Sequence, residues 1–148
     1  MQIKVPPPIV MVLCASPILI ASMFELSPNE VDWVIAGCLM ITSLYIAVRA
    51  TLEFKRHRTT VNPIRFENVT TLVIGGIFQY SRNPMYLSLL LFILALGVLF
   101  SAYWIGTLMA GVFGLYTTQF QIKPEELYLR EKYGRAYDVY SQSVRRWI

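Results

Sequence analysis

Long uncharged runs divide the chain, and they are too long for strands. Residues 5–24 carry no charge over 20 positions, enough for a helix to cross a hydrocarbon layer about 30 Å thick. Residues 31–48 form a second apolar run, with Asp32 at its start and Arg49 just beyond its end. Residues 83–122 hold no charge over 40 positions. At about 20 residues per crossing, that is two helices, 84–101 and 104–122. Their turn falls at Ser101-Ala102-Tyr103, with Trp104 as an interfacial anchor. The pattern predicts an all-α integral membrane protein of about four transmembrane helices, folded as a single domain over 1–148. Two polar segments remain, 49–83 and 123–148.

The polar segments have their own punctuation. Arg49 to Arg58 continues the second run as a basic interfacial helix, and Thr59 to Pro63 reads as loop, since Asn-Pro is a turn signal. Thr70 to Tyr80 is apolar and β-branched but too short to span, so it is expected at the membrane surface. Gly75-Gly76 breaks any long helix there. In the last segment Pro124 suits a first helical turn, and Glu125 and Glu126 suit its positive end. Gly134 is expected to split this helix in two. Tyr137, Tyr140 and Trp147 fit an interfacial aromatic belt.

Charge sets the orientation. Between the first two runs lie Glu25, Glu30 and Asp32 and no basic residue. The 13 Lys and Arg residues are Lys4, six between Arg49 and Arg82, and six from Lys123 onward. Four spans with both termini cytoplasmic put all of them on one side, as the positive-inside rule requires. The pI of about 9.2 therefore calls for no nucleic acid; the bilayer, with its anionic headgroups, is the expected partner. Apolar residues at 55% against 15% charged exceed what one small soluble core can bury. Cys14 and Cys38 lie in apolar runs without redox or metal spacing, and His57 is the one histidine, so no metal is expected. Lys4 and the run to Phe24 imitate a signal peptide. Pro6, Pro7 and Pro8 and the lack of a clear cleavage site favour a retained anchor helix. Gly106, Ala110 and Gly114 make a small-residue face suited to close helix packing, within the chain rather than between copies.

Candidate chemistry lies on the cytoplasmic face. Glu125-Glu126 is either a capping pair on a solvated helix or a carboxylate that grips a ligand's ammonium where the helix leaves the membrane. Arg82-Asn83-Pro84 either ends a loop or places a bifunctional amide at the membrane edge, where polar groups need partners. No Gly-x-Gly-x-x-Gly loop occurs, against a soluble dinucleotide fold.

Two sets of residues carry a resemblance. Thr70-Thr71-Leu72-Val73, Gly76-Ile77-Phe78 and Ser81-Arg82-Asn83-Pro84-Met85-Tyr86 form the first. Glu125-Glu126, Lys132 to Tyr137 and Val144 to Trp147 form the second. In this order around a helical hairpin they resemble the isoprenylcysteine carboxyl methyltransferase family, related to membrane phospholipid methyltransferases. The resemblance covers roughly residues 55–148. It implies a multi-pass helical methyltransferase that binds S-adenosyl-L-methionine on its cytoplasmic face and takes a small or lipophilic acceptor from the bilayer. By position, Thr70, Thr71, Leu72, Val73, Phe78, Asn83, Pro84, Met85 and Tyr86 would line the cofactor, and Glu125 would hold its amino-acid end. Glu126 lies close by; Arg82, Tyr137 and Arg145 would close or support the site. Gln121 would meet the acceptor. Members acting on prenylcysteine carry Arg-His-Pro where this chain has Arg82-Asn83-Pro84, and asparagine cannot shuttle a proton. They also carry an acceptor-binding arginine at the position of Gln121, and a neutral amide does not pair a carboxylate.

Two other classes compete. Membrane sterol reductases, which use a nicotinamide cofactor, share a similar carboxy-terminal arrangement, but this chain is short for them and lacks an extra phosphate-binding cluster. A non-enzymatic membrane scaffold would tolerate alanine at Asn83 and Glu125. A transporter is disfavoured, because no run has an ionisable residue at mid-membrane.

Overall fold

The computed structural model describes residues 5–24, 27–57 and 72–148. Among these the chain is all-helical. In order it forms α1 (Pro7–Ala21), α2 (Glu30–Arg56), a 3-10 turn (Gly76–Gln79), α3 (Pro84–Leu99), α4 (Tyr103–Thr117), a π-turn (Thr118–Ile122), α5 (Lys123–Tyr133) and α6 (Arg135–Ser143). The helical punctuation follows the sequence. Proline occupies the first turns of α1 and α3, where a missing N–H costs no intrahelical bond, while Pro124 follows the π-turn without a break in the helical backbone. Gly134 separates α5 from α6 at φ +53°, a left-handed conformation that glycine adopts without a Cβ penalty.

Helix α2 is the long element, and it absorbs both the second apolar run and the basic stretch after it. It is also the one helix among the described residues that is long and apolar enough to cross a membrane. Helices α1 and α3 are shorter and apolar. Large apolar side chains stand exposed along α1, α2 and α4, among them Leu13, Ile20, Val34, Ile41, Leu44, Leu108 and Leu115.

Helix α2 packs on α3, α3 on α4, and α1 against both α3 and α4. The central cluster joins Val10, Cys14 and Ile18 of α1 to Ile93 of α3 and Ala110 and Phe113 of α4. The Ser43 hydroxyl donates to the Ser88 carbonyl at 2.8 Å and ties α2 to α3. At the far end of the bundle, Asn29 and Asp32 cap α2 reciprocally, at 2.9 and 3.0 Å. Asp32 also accepts from the Tyr103 hydroxyl at 2.6 Å and from Ser101 at 3.4 Å, which fastens α2 to the α3–α4 turn.

That turn is tight because two glycines face each other. A methyl group on Gly97 would lie 2.7 Å from the Cα of Gly106, and one on Gly106 would lie 2.6 Å from the Cα of Gly97. Gly106 thus serves contact within the chain. Gly106→Ala is expected to force α3 and α4 apart and cost about 1–3 kcal/mol. Gly111→Ala meets nothing within 4 Å and is expected to be neutral, or stabilising by up to about 1 kcal/mol. Thermal denaturation of the two variants in the same detergent checks the pair.

Candidate functional site

The two polar segments meet at the end of the bundle opposite Asp32. Leu72 and Val73 lead into the site without regular secondary structure, and their side chains join different clusters. Leu72 packs with Tyr137, Tyr140 and Val144, while Val73 packs with Ala50, Phe78 and Met85 against α2. The 3-10 turn follows. Gly76 sits at φ +58°, and a Cβ there would run into the Glu53 carboxylate of α2, so both conformation and space require glycine. Phe78 is buried, its ring edge-on to Phe54 at 5.2 Å, and its carbonyl accepts from the Tyr140 hydroxyl at 2.7 Å. Thr70 and Thr71 lie outside the described residues.

Two adjacent cross-links join the start of α3 to α5. In the first, the Tyr86 hydroxyl donates to Glu125 Oε1 at 2.7 Å, from a buried position on α3. In the second, Arg82 Nη1 lies 3.2 Å from Glu126 Oε1 and donates to the Tyr137 hydroxyl at 3.2 Å. Arg146 completes this cluster with two parallel bonds to Glu126, Nε to Oε1 at 2.9 Å and Nη2 to Oε2 at 2.7 Å. Bidentate, charge-assisted pairs of this kind are short and directional.

The backbone of the last residues is held as well. The Arg145 carbonyl accepts from the Arg82 N–H at 3.1 Å, and the Arg146 carbonyl accepts from the Asn83 side-chain amide at 3.0 Å. Trp147 Nε1 donates to Thr118 Oγ1 at 3.3 Å. Asn83 thus joins the site as a structural donor, and Pro84 is buried directly beneath it.

Several residues singled out from sequence therefore converge: Arg82, Asn83, Tyr86, Glu125, Glu126 and Tyr137. Arg145 contributes its carbonyl, but its side chain is exposed. Its neighbour Arg146 makes the ion pair, and sequence reasoning passed over it. Spacing separates two consecutive arginines poorly in a segment without helix periodicity. Gln121 turns away from this cluster: its Nε2 donates to the Val5 carbonyl at 2.7 Å, at the start of α1. Two buried side-chain atoms among the described residues have no hydrogen-bond partner, Arg82 Nε and Gln121 Oε1.

Burial shapes the electrostatics. It pushes the Tyr137 phenol above its ordinary range, helped by the nearby Glu126 charge and opposed by Arg82. Burial raises Tyr140 as well. Both rings are therefore neutral at physiological pH. The Glu126 bond holds the Arg146 guanidinium more firmly protonated. Among the described residues, no group of His, Cys, Asp and Glu could hold a metal.

With this geometry in view, comparison with known proteins adds the family. Residues 31–136 match the phospholipid methyltransferase family. The chain belongs to this family. The match covers α2 through the start of α6 and stops just short of Tyr137 and Arg146. A stretch of 66 residues, 43% of the chain, is 48% identical to the whole of an uncharacterized protein of Haemophilus influenzae. No solved structure matches. The kinship with membrane methyltransferases expected from the two motif sets thus holds at the level of the family.

Two outcomes follow from the clasp. Arg146→Ala leaves Glu126 one partner short and is expected to loosen residues 135–148 by about 1–3 kcal/mol, while Arg145→Ala stays within about 0.5 kcal/mol. Amide hydrogen exchange over α6 distinguishes them. The second concerns pH. A phenol in the unfolded chain ionises near about pH 10, and folding raises the pKa of Tyr137 and Tyr140. Their contribution is complete below that value and is lost as pH rises through the higher folded values. Tyr137→Phe is expected to lessen the alkaline loss of stability above about pH 10, read from melting curves across pH.

Proposed function

We propose that this protein is a membrane-embedded methyltransferase that uses S-adenosyl-L-methionine and methylates a small or lipophilic acceptor. In this reading α1, α2, α3 and α4 with its π-turn are four spans, and both termini and the site are cytoplasmic. The exposed apolar faces of α1, α2 and α4 and the one-sided distribution of Lys and Arg support it.

The observation that carries the reading is the Tyr86–Glu125 bond at 2.7 Å. It brings the two motif segments together at the point where a cofactor's amino-acid end would be held. The residues present fit such a ligand. Glu125 offers a carboxylate for an ammonium group, Val73, Phe78 and Met85 belong to a neighbouring apolar cluster, and Arg82 has a buried N–H without a partner.

S-adenosyl-L-methionine, when bound, supplies an activated methyl group on a sulfonium. The chain's task is then alignment, worth up to about 7–11 kcal/mol in the best cases. Tyr86 orients the Glu125 carboxylate, and Glu125 fixes the amino-acid end. Asn83 holds the C-terminal segment against α3 rather than moving a proton, since an amide does not titrate at physiological pH. Leu72, Val73, Phe78, Pro84 and Met85 exclude water, and Thr70 and Thr71, outside the described residues, are assigned to the cofactor by the resemblance alone. Arg82, Glu126 and Tyr137 close the site, with Arg145 held through its main chain. Gln121, whose Nε2 is committed to the Val5 carbonyl, would meet the acceptor through its Oε1.

Calorimetric titration of the purified chain in detergent with S-adenosyl-L-methionine tests this reading. Saturable binding is expected, weakened about tenfold or more in Glu125→Ala by loss of a charge-assisted bond. A well-folded wild-type chain that binds no cofactor would sink it.

A further inference from the structure

Helix α2 has two faces of different kinds. Its buried residues, Asp32, Ala36, Ser43, Ala50 and Glu53, mark the side turned to α3 and the 3-10 turn. On the opposite side Val34, Ile41, Tyr45 and Leu52 stand exposed. At about 3.6 residues per turn these four fall on one line along the helix. The line is apolar from the Asp32 end almost to the last turn.

Its cytoplasmic end is basic. Arg49 and Arg56 are both exposed and lie beside the line, two turns or about 10.5 Å apart. Leu52 sits between them, and exposed Lys55 borders the line on its other edge. None of these three cations has an acidic partner among the described residues. The one carboxylate nearby on the helix, Glu53, points the other way. It lies against Gly76 and has His57 Nδ1 at 3.9 Å. The outward charge is therefore uncompensated.

Basic residues at the end of a span can serve as anchors alone. Here they flank an apolar line that an acyl chain can follow, and arginine matches a phosphate with two parallel bonds. We propose that this outward face of α2 binds one anionic phospholipid, its phosphodiester between Arg49 and Arg56 and its chains along Leu52, Tyr45 and Ile41. A zwitterionic headgroup brings its own ammonium and gains less from the same cations. The cytoplasmic leaflet, rich in anionic lipid, supplies the ligand. The face is turned away from α3 and so is separate from the Tyr86–Glu125 pair. The assignment rests on the membrane-embedded reading and not on methyl transfer.

The test reconstitutes the full chain into phosphatidylcholine bilayers that carry a trace of spin-labelled phosphatidylglycerol or spin-labelled phosphatidylcholine. Electron spin resonance reads the share of each label immobilised on the protein. The wild type is expected to prefer the anionic label about five- to twentyfold. Arg49→Gln combined with Arg56→Gln is expected to bring the two labels near parity. Lys123→Gln combined with Arg135→Gln removes the same charge elsewhere on the cytoplasmic side and is expected to keep the preference. A wild type without preference overturns the proposal. Equal loss in both double variants also overturns it, because net charge alone would then attract the lipid. Should the Arg49, Arg56 variant not fold, a phosphatidylglycerol with a photoactivatable headgroup is cross-linked to the wild type. Adducts concentrated within residues 45–56 support the site, and adducts spread over the cytoplasmic segments overturn it. A chain that does not insert into neutral bilayers sinks the membrane reading and this site with it, whereas insertion without lipid preference sinks the site alone.

Discussion

Everything at the polar end of this molecule depends on Glu126. A partly buried carboxylate is tolerated only when its charge and lone pairs are met, and here they are met by Arg82 from one segment and Arg146 from another. That single requirement brings the entrance of α3, the start of α5 and the end of the chain to one place. Tyr86 then reaches Glu125, Asn83 reaches the Arg146 carbonyl, and Tyr140 reaches the Phe78 carbonyl. Each of these contacts is modest alone. Together they hold three segments whose apolar surfaces are small, because α5 contributes no buried residue of its own.

The opposite end of the bundle follows a different logic. There the constraint is steric: Gly97 and Gly106 let α3 and α4 approach until their backbones touch. The Asp32 carboxylate closes that end with its cap and the Tyr103 and Ser101 hydroxyls. A hairpin pinned tightly at one end transmits its geometry to the other. Tyr86 meets Glu125 of α5 at the other end of α3, about three turns from Gly97.

Much of the helical order was legible in the sequence because uncharged runs, helix-initiating prolines and Gly134 are strong local signals. The continuation of α2 into the basic stretch was legible too, since no breaker precedes it, although the helix ends at Arg56 and not at the expected Arg58. The turn between α3 and α4 lies at Phe100–Ala102, one residue before the expected position, and Ser101 takes a positive φ of 54° there. The π-turn at Thr118–Ile122 left no sequence signal, since a single wide turn changes no composition. At the site, the motif order pointed to Arg82, Asn83, Tyr86, Glu125, Glu126 and Tyr137. It could not separate Arg145 from Arg146, because that choice is made by a non-helical backbone after α6. Nor could it show that the Gln121 amide is anchored on α1, a contact between residues 116 positions apart.

That anchor fixes more than a helix. Because Nε2 of Gln121 donates to the Val5 carbonyl, the amide cannot be flipped without setting oxygen against oxygen. Its other end is therefore an acceptor, and it is buried without a partner. Arg82 leaves the opposite kind of group unmet, a donor. Folded chains leave few such groups unpaired, and among the described residues these two are the buried side-chain exceptions, one at the entrance of α3 and one in the π-turn. In the proposed methyltransferase reading a ligand meets them. It would need a negative oxygen for Arg82 and an N–H or O–H for Gln121, supplied by one molecule or by two side by side.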